Sequence, residues 1–254
     1  MKIVIIGTGN VAEQMGIAFL KAKYEIIQVV GRNTIHSKAL AEKLQTDFTT
    51  NLQKINREGE IYIVAVTDAA ITKILKELNL KEQLVVHTSG SVSITVFGKK
   101  FLNHGVFYPV QTISKNSSVN FRTAPICIEA NNNSSQKKLV QLAKSISNEI
   151  VLINSEQRSV LHLAAVFVNN FTNHLFTVGE HILKKNNLSY NLLKPLINET
   201  INKVENQNPS EVQTGPAVRG DNLIIERHLK MLKKYPAYKK IYKDITESIQ
   251  QIKK

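Results

Sequence analysis

The chain opens with Met1-Lys2-Ile3-Val4-Ile5-Ile6-Gly7-Thr8-Gly9-Asn10-Val11-Ala12, an apolar strand pattern that runs into Gly-x-Gly-x-x-Ala and then into an amphipathic helical pattern. In such a unit the first glycine permits a tight turn, the second lets backbone approach a pyrophosphate, and the last small residue lets helix and strand pack closely. The helix N-terminus adds free N–H groups and a partial positive charge. Gly-x-Gly also occurs in ordinary turns, but its place between a strand and a helix predicts a dinucleotide phosphate site made by Gly7, Thr8, Gly9, Asn10, Val11 and Ala12.

Strand and helix patterns alternate through the first half of the chain, which predicts a parallel sheet with crossover helices. After about Asn154 the strand patterns stop and only helical patterns follow. We therefore predict an α/β fold: a Rossmann-type, doubly wound, mainly parallel sheet in residues 1–154 and an all-helical domain in residues 155–254. The predicted strands are Ile3–Ile6, Ile26–Val30, Ile61–Val66, Leu84–His87, Gly105–Tyr108, Ile126–Glu129 and Ile150–Ile153. The predicted helices are Val11–Ala22, Ser37–Leu44, Ala70–Leu78, Gln136–Ser147, Glu156–Leu183, Tyr190–Val204, Leu223–Lys234 and Pro236–Ile252.

Length and cysteine content are those of a globular protein of a reducing compartment. A chain of 254 residues can bury about 70–75% of the surface that its unfolded form exposes. The single cysteine, Cys127, cannot form an internal disulfide, and its apolar neighbours indicate an inert position in a buried strand. The sequence shows neither a signal-peptide core nor an apolar run of about 20 residues, so we expect a cytoplasmic protein.

The formal net charge of +13 raises the possibility of a nucleic-acid partner, an anionic ligand or simply a lysine-rich composition. The lysines are dispersed, and the sequence has no zinc-finger or RNA-recognition motif. Near the C-terminus they alternate with apolar residues at helical spacing, which indicates the solvated face of a packed helix. A nucleic-acid partner and a membrane partner are therefore disfavoured, and no metal site is predicted.

The end of the second predicted strand indicates which nucleotide binds. A carboxylate usually stands there to bond the ribose 2′-OH, but this chain has none at the position. An arginine followed by small polar residues suits a 2′-phosphate instead, because the guanidinium is a planar fork of donors that keeps its charge. The alternative is a solvated arginine in a turn. We predict that NADP (NADPH) is the cofactor and that its 2′-phosphate site consists of Gly31, Arg32, Asn33 and Thr34.

Two further strand ends meet the same edge of the predicted sheet, where open α/β sheets bind ligands. Small residues there leave room for a nicotinamide ribose. A histidine that closes an apolar strand can equally be a structural group, and the serines can equally be helix caps. The predicted cofactor contacts at these strand ends are Val66, Thr67 and Asp68 after one strand and His87, Thr88, Ser89 and Gly90 after the other.

Candidate substrate-binding residues follow in three places. Tyr108 and Gln111 flank Pro109 after a strand on the same edge, where the alternative is a rigid structural turn. A long apolar helix then carries a polar stripe, which either lines a site or builds a buried amide network. Its members are His162, Asn169, Asn170, Asn173 and His174. Farther on, Arg219 either holds an anionic group of the substrate or pairs with Asp221.

Several of these motifs together resemble a known group of proteins: Gly7 to Ala12, His87 to Ser91, Tyr108-Pro109-Val110-Gln111-Thr112, His162 to His174, and Thr214-Gly215-Pro216 with Arg219-Gly220-Asp221. The chain is similar to the group that contains 6-phosphogluconate dehydrogenase, 3-hydroxyisobutyrate dehydrogenase, ketopantoate reductase and pyrroline-5-carboxylate reductase. Within that group it resembles Rossmann-like proteins with a helical C-terminal domain of unknown function, relatives of the deazaflavin-dependent NADP oxidoreductases. The resemblance implies a homodimer formed through the helical domain.

Dehydrogenases of the wider group use a lysine on the first long helix of the second domain, followed by an asparagine. This chain has no lysine in the first half of that helix. His162 is the nearest candidate proton donor, and we predict it as a catalytic residue together with Asn170. The predicted function is NADPH-dependent reduction, or the reverse oxidation, of a small polar C=O or C=N compound in a cleft between the domains. The alternatives are a nucleotide-binding regulator without turnover and a basic nucleic-acid binder.

Overall fold

The computed structural model describes residues 1–115 and 119–252 and divides the chain into two compact units. Unit 1 is Met1–Asn170 and unit 2 is Phe171–Lys254. The strands end at Leu152, close to the predicted boundary at Asn154, but unit 1 also includes the helix that follows.

Unit 1 contains one eight-stranded sheet. The strands are β1 (Lys2–Ile6), β2 (Glu25–Val30), β3 (Asp47–Thr49), β4 (Ile61–Val64), β5 (Leu84–His87), β6 (Asn103–Pro109), β7 (Ile126–Ala130) and β8 (Ile150–Leu152). Their spatial order is β3-β2-β1-β4-β5-β6-β7-β8, and every neighbouring pair is parallel except β6 with β7. The carboxyl ends of β1, β2, β4, β5 and β6 therefore lie along one edge of the sheet.

Helices cover both faces of this sheet, so its central strands are apolar on both sides. Alternate residues of β1 enter different cores: Ile3 and Ile5 belong to one cluster, whereas Val4 and Ile6 belong to the other. All four residues of β4 and all four of β5 are buried. The helices of unit 1 are α1 (Asn10–Lys21), α2 (Thr34–Lys43), α3 (Asp68–Glu77), α4 (Asn133–Ile146) and α5 (Ser155–Ala165), and the π-helical segment Val166–Phe171 follows α5 directly.

Every regular element in the described residues of unit 2 is a helix. Its helices are α6 (Thr172–Lys185), α7 (Lys194–Asn206), α8 (Pro216–Arg219), α9 (Asn222–Met231) and α10 (Pro236–Ile252). Two histidine–tyrosine hydrogen bonds attach α10 to the other helices. His181 Nδ1 lies 2.6 Å from Tyr238 Oη, and His228 Nδ1 lies 2.9 Å from Tyr242 Oη.

The predicted fold class is confirmed: a mainly parallel Rossmann-like sheet is followed by a helical region. Three details differ from the prediction. The three-residue edge strand β3 was not predicted, the predicted helix Glu156–Leu183 is interrupted by the π-helical segment, and the polar stretch before α9 contains the short helix α8. Within the described ranges, no helix has the length and apolar character needed to cross a membrane.

Candidate active site

Gly7 and Gly9 of the N-terminal motif differ in their surroundings in the turn between β1 and α1. Gly7 has φ +128°, and a Cβ there would lie 2.0 Å from the carbonyl oxygen of Ala65, so only glycine fits. At Gly9, by contrast, a Cβ would meet nothing within 4 Å. Gly7 thus shapes the turn, and Gly9 faces open space at the start of the helix.

That open space fits a pyrophosphate. Helix α1 begins at Asn10, and the Gly9 N-cap has no side chain to bond the first N–H groups, which also lack an intrahelical acceptor. Free backbone amides at a helix N-terminus attract phosphate oxygens. The Asn10 side chain is used elsewhere, since it donates to the Ile113 carbonyl at 3.2 Å. The segment from Gly7 to Ala12 can therefore hold the phosphates through its backbone.

The end of β2 packs against this turn. A Cβ on Gly31 would come within 2.5 Å of both Thr8 Cγ2 and Ser37 Oγ, so Gly31 brings the next residue close to the phosphate turn. Arg32 is exposed and forms no ion pair within residues 1–115 and 119–252. Asn33 caps α2, because its side-chain oxygen accepts the His36 N–H at 2.9 Å. Its amide nitrogen is the side-chain group left to face a ligand.

The loop after β5 is held rigidly by its own polar groups. Ser89 Oγ accepts the backbone N–H groups of Ser91 at 3.1 Å and Val92 at 3.0 Å. Ser91 Oγ in turn donates to the carboxylate of Asp68, which follows the exposed Thr67 after β4. The Thr88 N–H donates to the Val64 carbonyl at 3.3 Å. These contacts join the ends of β4 and β5 into one surface beside the glycine turn.

His87 lies inside the protein rather than on that surface. Its side chain is 0% exposed, its ring stacks on Phe97 with centroids 5.6 Å apart, and Nδ1 accepts the Ser89 N–H at 3.2 Å. Burial, helped by the positive charge of Arg158, lowers the pKa of His87 to about 3, so the ring is neutral. The His87 ring therefore supports the loop from inside the protein. This is the structural role given above as the alternative to a cofactor contact.

Tyr108 and His162 form a pair against Gly90. Tyr108 Oη lies 3.2 Å from His162 Nδ1, and the rings meet edge to face with centroids 6.0 Å apart. A Cβ on Gly90 would lie 2.7 Å from His162 Nδ1 and 2.8 Å from Tyr108 Cζ, so the glycine lets both rings rest on the loop. Burial, and secondly the neighbouring Cys127, raises the pKa of the Tyr108 phenol. Three predicted site residues from separate elements thus come together.

The asparagines of the predicted polar stripe lie in or after the π-helical segment. Asn169 and Asn170 are exposed within it, and Asn173 and His174 are exposed in α6. Within one copy of the chain these side chains therefore do not form the buried amide network considered as the alternative. The prediction that these residues share one helical face also assumed regular α-helical spacing. The wider turn of the π-helical segment changes that spacing. π turns occur often at functional sites, which keeps Asn169 and Asn170 as candidates.

The remaining predicted residues do not join a cluster. Gln111 is exposed, and its Oε1 accepts the neighbouring Thr112 N–H at 2.8 Å. Arg219 is exposed at the end of α8 in unit 2. The alternative pairing with Asp221 is not found among the described residues, since that carboxylate caps α9 by accepting the Ile224 N–H at 3.3 Å. Both residues stay predicted substrate contacts.

The sequence-based prediction missed the ion pair between the buried Arg158 and the half-buried Glu129. Arg158 is 1% exposed and bonds to Glu129, which also accepts the Ser155 N–H at 3.0 Å. One signal could have found it. Glu129 is a charged residue at the end of an apolar predicted strand, and such a residue needs a partner when it is buried.

A glycine-rich turn at a helix N-terminus, an exposed arginine after β2 and a tyrosine–histidine pair near the carboxyl edge of the sheet are together typical of a dinucleotide-dependent oxidoreductase. Residues 2–90 match the family model described as NADP oxidoreductase, coenzyme F420-dependent, and residues 124–249 match the domain of unknown function DUF2520. The chain belongs to the family that combines these two domains. This confirms the predicted resemblance and NADP as the cofactor.

Solved structures agree with this assignment. A protein from Bacteroides fragilis described as a "putative NADP oxidoreductase" is 38% identical, with a TM-score of 0.91 and 98% of each chain covered. A 1-pyrroline-5-carboxylate reductase from Streptococcus pyogenes is 15% identical (TM-score 0.65; 99% of this chain and 98% of that one). An imine reductase from Myxococcus stipitatus in complex with NADP+ is also 15% identical (TM-score 0.65; 99% and 92%). The last two show the fold alone, and no curated protein matches the chain.

Proposed function

We propose that this protein is an NADPH-dependent reductase of a small polar C=N or C=O compound, able to run in reverse as a dehydrogenase. The observation that carries the proposal is the Tyr108–His162 pair on Gly90. The pair supports a proton donor near the carboxyl edge of the sheet, beside the surfaces that suit a nicotinamide nucleotide. The similarity to an imine reductase and to a 1-pyrroline-5-carboxylate reductase favours a C=N substrate.

Cofactor binding uses the surfaces described above. The backbone from Gly7 to Ala12 holds the pyrophosphate, and Arg32 with Asn33 and Thr34 holds the 2′-phosphate. Residues Val66 to Asp68 and Thr88 to Gly90 contact the nicotinamide half. When bound, the reduced nicotinamide supplies the hydride.

His162 delivers the proton. Because burial raises the pKa of the Tyr108 phenol, its hydroxyl stays protonated at neutral pH, and its oxygen can accept the Nδ1–H of a protonated His162 ring. The Nε2 proton of that ring passes to the substrate oxygen or nitrogen, which leaves a neutral imidazole that takes its next proton from water. Tyr108 and Gln111, with Asn169 and Asn170 from the π-helical segment, orient the polar substrate. Asn170 is the second catalytic candidate, and Asn173 and Arg219 are further substrate contacts.

The protein acts as a homodimer in this proposal. One stretch of unit 1 exposes large apolar side chains: Val160 is 66% exposed, Leu163 59%, Phe167 60% and Val168 74%. Apolar side chains grouped in this way usually mark an interaction surface, and a second copy would remove them from water. Leu163→Glu should shift the protein to a monomer in light scattering, whereas Ile35→Glu, at an exposed isoleucine on α2, should not. A monomeric wild type would contradict this part.

The test of the catalytic proposal is NADPH oxidation on a panel of cyclic imines, aldehydes and ketones. His162→Gln should lower kcat by about 100- to 10,000-fold, the usual contribution of a general acid, and leave the NADPH dissociation constant unchanged. His104→Gln is the matched control, because that histidine is also half-buried but lies at the amino end of β6. Tight NADPH binding with no turnover on the panel would instead favour a nucleotide-binding regulator.

A further inference from the structure

Arg158 is a buried cation whose bonds reach three parts of unit 1. It lies on the first turn of α5 and is 1% exposed. Nη1 donates to the Glu129 carboxylate on β7, and Nη2 donates to the Val92 carbonyl in the loop after β5. Nη2 also lies 3.3 Å from Ser155 Oγ. One guanidinium therefore joins a helix, a strand and a loop.

Ser155 extends the same network. Its Oγ donates to Glu129 Oε2 at 2.8 Å and accepts the Ile94 N–H at 2.9 Å. The other side of this helical turn is held by a capping box, in which Asn154 accepts the Gln157 N–H at 2.8 Å. The start of α5 is thus fixed from both sides.

This arrangement is not explained by stability alone. Removing an arginine and a carboxylate from water costs several kcal/mol per ion, and well-packed apolar residues often replace such pairs without loss. The guanidinium Nε has no hydrogen-bond partner among the described residues, which adds to the cost. Apolar side chains could not replace the planar guanidinium group, which donates to two acceptors at a fixed angle.

Two of the segments that Arg158 joins contain residues of the candidate site: α5 contains His162, and the loop after β5 contains Gly90. His162 lies four residues after Arg158, one turn along α5, and Gly90 lies two residues before Val92. We propose that Arg158 is a positioning residue of the active site: by bonding Val92 and Glu129 from the turn below His162, it holds His162 against Gly90 and Tyr108. This inference rests on the proposed function for its catalytic meaning, but the geometry can be tested without a substrate.

The test compares the wild type with the double variant Arg158→Met/Glu129→Gln. Both charges are removed, so no unpaired ion stays buried, and the amide oxygen of the introduced glutamine can still accept the Ser155 N–H. We expect the Val92 and Ile94 amides to exchange with deuterium about tenfold faster, whereas exchange in β1 and β4 stays unchanged. The His162 ring resonances should shift toward those of Tyr108→Phe, because the hydrogen bond to the phenol is lost. Arg57→Met, at an exposed arginine before β4, should change neither readout.

Arg158→Lys separates charge from geometry, and it covers the case in which the double variant does not fold. Lysine keeps the positive charge but lacks the fork, so we expect the same faster exchange and the same histidine shift. Wild-type values in Arg158→Lys, or in a folded double variant, would overturn the proposal, and so would faster exchange spread equally over the whole sheet. Since neither readout requires turnover, an inactive wild type would refute the proposed function and leave this test unaffected.

Discussion

Arg32→Asp should reverse the nucleotide preference of this protein. Arg32 follows Gly31, whose backbone packs against Thr8 of the phosphate turn, so its side chain starts next to the nucleotide site. The guanidinium is exposed and has no ion pair within the described ranges, which leaves it available to a 2′-phosphate. A hydrogen bond to a charged group contributes about 1.5–3 kcal/mol. That range corresponds to a preference for NADPH over NADH of about 10- to 150-fold, and solvent screening of an exposed arginine favours the lower half.

The assay is a fluorescence or calorimetric titration of both nucleotides. In Arg32→Asp the carboxylate repels the 2′-phosphate, so NADPH binding should weaken strongly, while NADH binding stays equal or improves because a carboxylate can accept from a 2′-OH. Arg57→Asp changes the net charge equally but lies before the amino end of β4, so it should leave the preference intact. Equal dissociation constants of NADPH and NADH in the wild type would show that Arg32 does not bind the 2′-phosphate.

Three further predictions concern the turn and the buried histidine. Gly9→Val should abolish NADPH binding with little change in the Tm of the apo protein, because its Cβ points into open space; unchanged affinity in a titration would contradict this. Gly7→Ala should instead lower the Tm, because an alanine at φ +128° is strained and its Cβ would meet the Ala65 carbonyl. We expect the free energy of unfolding to fall by at least about 1–3 kcal/mol, and each kcal/mol lowers the Tm by about 2–4 °C in a chain of this size. An unchanged melting curve would count against this prediction. His87 has a pKa of about 3 in the folded state and the usual 6.5 in the unfolded state. Between these two pH values the unfolded state binds more protons than the folded state. The free energy of unfolding therefore falls as the pH falls from about 6.5 toward about 3, by up to about 1.4 kcal/mol per pH unit. Urea unfolding of His87→Gln between pH 7 and pH 4 should show a shallower decline, and an identical pH dependence would exclude this origin.

The fold was predictable because its signals are local. The central strand β4 is a continuous apolar run, and β5 is apolar up to its last residue, His87, because both faces of the sheet are covered. Helix α1 follows directly from the glycine turn. The edge strand β3 was not predicted because three residues give no usable periodicity. The π-helical segment was not predicted because the apolar spacing that indicates a helix assumes 3.6 residues per turn.

The candidate site was predictable as a set of residues but not as an arrangement. Tyr108 and His162 were both predicted, yet they are 54 positions apart, and no local pattern indicates that they share a hydrogen bond. Arg158 was missed for a different reason. An arginine on a helix is normally solvated, and only the tertiary structure shows that β7 and the loop after β5 enclose it.

A crystal structure of the NADP+ complex would show directly whether the nicotinamide lies beside the Tyr108–His162 pair. We expect pyrophosphate oxygens at the N–H groups of Gly9 to Ala12, the 2′-phosphate at Arg32, and the nicotinamide C4 facing Gly90. Between C4 and the Tyr108–His162 pair there should be room for one small substrate, with its reacting atom about 3–3.5 Å from C4. A nicotinamide ring bound away from the Tyr108–His162 pair would contradict the assignment of His162 as the proton donor.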